Sequence, residues 1–199
     1  MNRFFLLFAL VAACAVSAAA GNVTFNTTGS TLCLTSAGCA AGTLSQNLGT
    51  ITVSYNSTPD NTVNAPSSAN FGALQVTCNG GGTGCGVNNL PAGGLFLFIN
   101  INQTAPPAGS NGIPAGTLVG QIAGNGSSAS INWLSGTSTV VGGNLYSVVN
   151  LPLNLVPPTT NNGVTTIQGF VNTPEPASIL LLSSGLGALM LARRRGSRN

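Results

Sequence analysis

A chain of 199 residues with 43% hydrophobic side chains has room for one domain of ordinary size with a buried core. Only 4% of its residues are charged, against about 25% in a typical soluble domain, and the net charge is +3. The charges are Arg3, Asp60, Glu175, Arg193, Arg194, Arg195 and Arg198, so within residues 21–173 only Asp60 remains, and nucleic-acid binding, which needs clustered Lys and Arg against phosphates, is excluded.

The first twenty residues read as an export signal. Arg3 supplies a short positive region, residues 4–13 an apolar stretch, and Ala18, Ala19 and Ala20 a small-residue cleavage site before Gly21. The apolar stretch is too short to remain as a membrane span. A rival reading takes Val11-Ala12-Ala13-Cys14, which resembles a lipoprotein lipobox, and makes Cys14 a lipidated first residue. The apolar residues 15–20 that follow are unlike a polar tether, so cleavage between Ala20 and Gly21 is the expectation.

Residues 21–173 are expected to fold as one secreted all-β domain. Residues 23–27, 49–55, 74–78, 95–101, 130–134, 145–149 and 164–171 alternate apolar and polar side chains. They are rich in β-branched and aromatic residues and bounded by Gly, Pro, Asn and Ser. Residues 95–99 are apolar on both faces, which predicts a central strand covered on each side. Residues 104–114 and 157–163 are Pro-rich and predict loops. Short strands between turn signals predict an antiparallel β-sandwich, with a jelly roll as one form of it.

Four cysteines follow the cleavage point, and in an oxidising compartment they imply two disulfides with three connectivities open. Local pairs, Cys33 with Cys39 and Cys78 with Cys85, are favoured because each encloses a short Gly-containing loop. A zinc site on the four thiolates is the alternative. Its spacings are wider than the usual knuckle and no His is available, so no metal or other cofactor is expected.

Catalysis is not expected either. Acid–base chemistry relies mostly on His, Glu, Asp or Lys, and Asp60 stands alone in the body, in a sequence suited to a turn. Paired-carboxylate hydrolysis and nucleophile–His arrangements both lack their partners.

The C-terminus carries the most specific pattern. Pro174-Glu175-Pro176 precedes an apolar run over residues 177–192 and then Arg193-Arg194-Arg195 within the basic tail 193–199. Pro176 suits the first turn of a helix and Glu175 its positive end, while the arginines complement the negative end as a basic stop-transfer. The run of sixteen residues spans about 24 Å as a helix, short of the roughly 30 Å hydrocarbon core, so it is a marginal transmembrane helix.

These three parts, in this order, closely resemble the PEP-CTERM sorting signal. The resemblance covers residues 174–199 and implies that Pro174, Glu175 and Pro176 are recognised by an exosortase, a membrane protease, after a signal peptidase has acted at the other end. It further implies transient residence in the inner membrane through the C-terminal helix. The destination would be the cell surface or extracellular matrix of a Gram-negative-type bacterium that makes exopolysaccharide. A structural role linked to exopolysaccharide and biofilm is the leading expectation. A carbohydrate-binding or adhesive module is the alternative, with Trp133, Tyr55 and Tyr146 as candidate stacking platforms unless they fill the core. Ice binding, known for some carriers of such tails, finds only the isolated pairs Thr50/Thr52 and Thr137/Thr139. Sequons at Asn22, Asn26, Asn56, Asn102 and Asn125 match the glycosylation pattern but carry little weight in a bacterium.

Overall fold

The computed structural model describes residues 21–40, 42–80, 85–105, 107–133, 136–149, 151–173 and Gly185. Ala20, the Pro174–Pro176 motif, the apolar run 177–192 apart from Gly185, and Arg193, Arg194 and Arg195 lie outside the described residues. The body forms one compact unit, Asn22–Asn172.

Among the described residues, sixteen strands follow one another in this body. They are β1 Asn22–Asn26, β2 Thr31–Cys33, β3 Ser45–Asn47, β4 Ile51–Asn56, β5 Asn61–Asn64 and β6 Ser67–Cys78. Next come β7 Asn88–Asn89, β8 Leu95–Ala105, β9 Gly109–Val119, β10 Gln121–Ala123 and β11 Gly126–Ser127. The last are β12 Ser130–Trp133, β13 Ser138–Val141, β14 Asn144–Val148, β15 Leu153–Asn154 and β16 Val164–Asn172. One 3₁₀ turn, Asn161–Gly163, lies inside the predicted loop 157–163.

All pairings between these strands are antiparallel. A seven-stranded sheet runs β15-β12-β9-β8-β1-β5 with β2 also on β8, and a six-stranded sheet runs β13-β14-β16-β6-β4-β3. A smaller sheet runs β11-β10-β7. The sheets curl into half-barrels, in keeping with the right-handed twist that strands impose.

The two-residue period explains the core. Ile51, Val53 and Tyr55 of β4, Leu95, Leu97, Ile99 and Ile101 of β8, and Ile167 and Val171 of β16 are all buried and belong to one cluster. Phe25 of β1 meets Tyr146 of β14 at 5.3 Å between ring centroids and Phe71 of β6 at 5.7 Å, both edge-on. Rings from both large sheets thus share one core. On β8 the inward face is fully buried, while Phe96 and Phe98 on the other face are only half-buried. The central position of the strand is therefore observed, but its second face is only partly covered.

Buried polar side chains link the sheets as well. Gln103 of β8 is 2% exposed and its Oε1 accepts from Tyr146 Oη at 2.7 Å and from Asn144 Nδ2 at 3.0 Å. Its Nε2 donates to the Pro107 carbonyl at 2.6 Å. Both ends of the amide are satisfied, as a buried polar group requires. Burial pushes the Tyr146 hydroxyl well above its ordinary pKa. Tyr55 donates to the Phe71 carbonyl and lies 3.0 Å from Thr27 Oγ1. Burial raises its pKa too, opposed by hydrogen bonds from Thr27 and Ser30.

One expected loop is a strand. Residues 104–114 were expected to be irregular, yet β8 runs to Ala105 and β9 begins at Gly109, with Gln103 paired to Gly109. The register shifts between Leu97, opposite Gly116, and Ile99, opposite Ile113. Pro114 falls in that bulge, where its missing N–H breaks no regular ladder bond. Proline content pointed to a loop; the bulge is what lets the strand keep it.

Candidate functional site

The cysteines pair as favoured from their spacing. Cys33–Cys39 closes a loop after β2 with alpha carbons 5.6 Å apart, and Cys78–Cys85 ties the end of β6 to the segment before β7 at 5.4 Å. With all four sulfurs in disulfides, none is left as a thiolate ligand. The backbone around them is pinned further: Leu32 N donates to the Thr43 carbonyl at 2.7 Å, and Gly124 N to the Cys85 carbonyl at 3.1 Å.

The expected aromatic platforms are not on the surface. Tyr55 is 1% exposed and Tyr146 0%, so neither can stack on a sugar ring. Trp133 is half-buried against the core, packed over Gly116, with its indole N–H lacking a partner. Tyr55 and Tyr146 are core filler, the reading set beside sugar stacking in the sequence, and they are not stacking platforms. Thr139 is buried at 8% exposure, and Thr50 precedes β4 rather than lying within it, so neither Thr pair forms an outward ladder.

Asp60 is exposed and accepts from Asn26 Nδ2 at 2.7 Å. Asn26 Oδ1 takes the Thr28 hydroxyl at 2.6 Å, and Thr28 is reached in turn by the side-chain amide of Asn100. The lone carboxylate is one member of a surface network of amides and hydroxyls.

One concavity among the described residues lies where β5 stands beside the first half of β6. β4 pairs with β6 only over Ala73–Cys78, so residues 67–71 pair with no described strand on that side. The opening has a volume of about 410 Å³ and is lined by Asn61 and Val63 of β5, Ser68, Ala69 and Asn70 of β6, and Thr166 and Gln168 of β16. It is open, uncharged and mostly amide and hydroxyl. A bulge shapes its floor: Thr166 pairs with Ala73 but Gln168 with Asn70, leaving Phe71 and Gly72 together opposite the single residue Ile167. Gly72 takes a φ of +110°, a conformation that suits glycine, and Phe71 turns into the core while Asn70 stays outside.

Phe170 stands next to this opening. It is 37% exposed, pairs across the strands with Ser68, and shares the outward face of β16 with Gln168 and Thr166. An aromatic ring at an outward position of an otherwise polar alternation was the signal in the sequence; the groove beside it depends on where β4 stops and had no local signal. Sequence reasoning missed Asn61, Ser68, Asn70 and Phe170 for that reason.

No known protein family matches the chain, and no curated protein or solved structure is similar to it at a significant level.

Proposed function

We propose that this chain is an exported, exosortase-sorted protein of the cell surface or extracellular matrix of a Gram-negative-type bacterium, with a structural role in an exopolysaccharide-rich biofilm. Signal peptidase would release residues 1–20 and exosortase would act at Pro174, Glu175 and Pro176 after transient anchoring of 177–192 in the inner membrane. The body would be a two-sheet sandwich of jelly-roll type, a view supported by the shared aromatic core and the Gln103 bridge. It would not be an enzyme, since Asp60 has no titratable partner in the body.

The observation that carries this reading is a charge-poor body whose tyrosines serve the core and whose cysteines close two local loops. Such disulfides suit an oxidising compartment. Replacing Pro174, Glu175 and Pro176 together by Ala tests the sorting step. Retention in the membrane fraction is expected; unchanged delivery to the surface or medium would contradict it. A second reading, a carbohydrate-binding module, is favoured by the uncharged groove flanked by Phe170.

A further inference from the structure

We propose that the groove between β5, β6 and β16 binds a segment of an uncharged oligosaccharide, with Asn61, Ser68 and Asn70 as hydrogen-bonding groups and Phe170 as the stacking face. The assignment deepens the second reading above and rests on it.

Hydrogen-bonding capacity is the first ground. Among the described residues, the side chains of Asn61 and Ser68 make no hydrogen bond within the protein. Asn70 spends its Oδ1 on the Gly72 N–H at 2.8 Å, which fixes the orientation of the amide and leaves its NH₂ as a donor at the groove. Donors and acceptors of this kind match a run of sugar hydroxyls, which both give and take hydrogen bonds.

Shape is the second ground. About 410 Å³ lies in the range of small-ligand sites, and the opening is a trough rather than a closed cavity, as a chain passing through requires. Phe170, directly opposite Ser68, offers a half-exposed ring beside the polar floor. Directly paired residues on a sheet lie about 5 Å apart at their Cβ atoms, so one sugar can meet ring and hydroxyl together. The C–H faces of a pyranose pack on such a ring while its hydroxyls reach the floor.

Charge is the third ground, and it selects the class. None of the lining residues is charged. The only charge in the body, Asp60, is negative and adjoins Asn61 in the chain. Uronic acids, sulfated sugars and phosphates would find no cation and would meet a like charge, whereas neutral sugars pay no such penalty.

The test uses the purified protein, displayed multivalently on beads. It is applied to an array of neutral gluco-, manno- and galacto-oligosaccharides beside uronic-acid and sulfated ones. Neutral members should be retained. Phe170→Ala and Asn61→Ala should each weaken retention about tenfold at unchanged melting temperature. Retention that both variants leave intact would overturn the groove assignment while the module reading stands. Retention of acidic members alone would overturn the neutral class, and retention of none would overturn the assignment and the module reading together.

Discussion

Raising the pH above 10 should destabilise this protein through its two tyrosines, and through Tyr146 most clearly. Both rings are buried, and burial raises the pKa of each hydroxyl above its ordinary value. An unfolded tyrosine ionises near pH 10. The folded state therefore holds the neutral form while the unfolded state loses its proton. The contribution is fully present below about pH 10 and is lost as pH rises from there towards the folded pKa. At pH 11 an unfolded tyrosine is about ten-to-one ionised, a loss of about 1.4 kcal/mol for each ring that stays neutral in the fold. Tyr146 should contribute that amount, and Tyr55, also raised by burial, should act in the same direction. The background is unusually quiet, because residues 21–173 contain no Lys, Arg, His or Glu and their cysteines are paired. Urea unfolding followed by circular dichroism at pH 7, 9, 10 and 11 reads the effect. Wild type should be level to about pH 9 and then fall. Tyr146→Phe, though less stable at pH 7, should lose about 1.4 kcal/mol less between pH 9 and 11. A fall as steep in Tyr146→Phe as in wild type would refute the assignment of that loss to Tyr146.

Other substitutions test the packing. A Cβ at Gly169 would clash with the Phe71 ring, which is wedged between Phe25 and Tyr146, so Gly169→Ala should cost about 3 kcal/mol in chemical unfolding. Gln103→Leu strips partners from Tyr146 Oη, Asn144 Nδ2 and the Pro107 carbonyl, and should cost about 3 kcal/mol, against about 1 kcal/mol for Tyr146→Phe at pH 7. Reduction should lower the stability by about 2.4 kcal/mol for each disulfide, given sequence separations of 6 and 7 residues, and a melting temperature unmoved by reductant would count against that.

Much of the fold was legible because alternation is a strong signal where one face is buried. The strand at 49–55 places Ile51, Val53 and Tyr55 inward as the pattern requires, and 164–171 places Ile167 and Val171 inward. The local cysteine pairs were legible for the same reason: spacing alone brought them within reach. Non-local features were not. The strand β9 around Pro114 depends on a bulge opposite β8, and proline alone argues the other way. The hydrogen bond that satisfies the Tyr146 hydroxyl comes from a partner 43 residues away, Gln103. Likewise the groove exists because β4 stops at Asn56, opposite Ala73, and leaves the first half of β6 uncovered. A sequence pattern records which face a residue takes, but not which strand will lie beside it.

The most direct test of the export and sorting proposal is the intact mass of the native protein, recovered separately from membrane and medium. The account predicts a chain that starts at Gly21 and ends near Pro174–Pro176, about 4 Da lighter than its reduced form because each of two disulfides removes two hydrogens. A chain that still carries Arg193 to Asn199 in the membrane, with none processed at the motif, would contradict it.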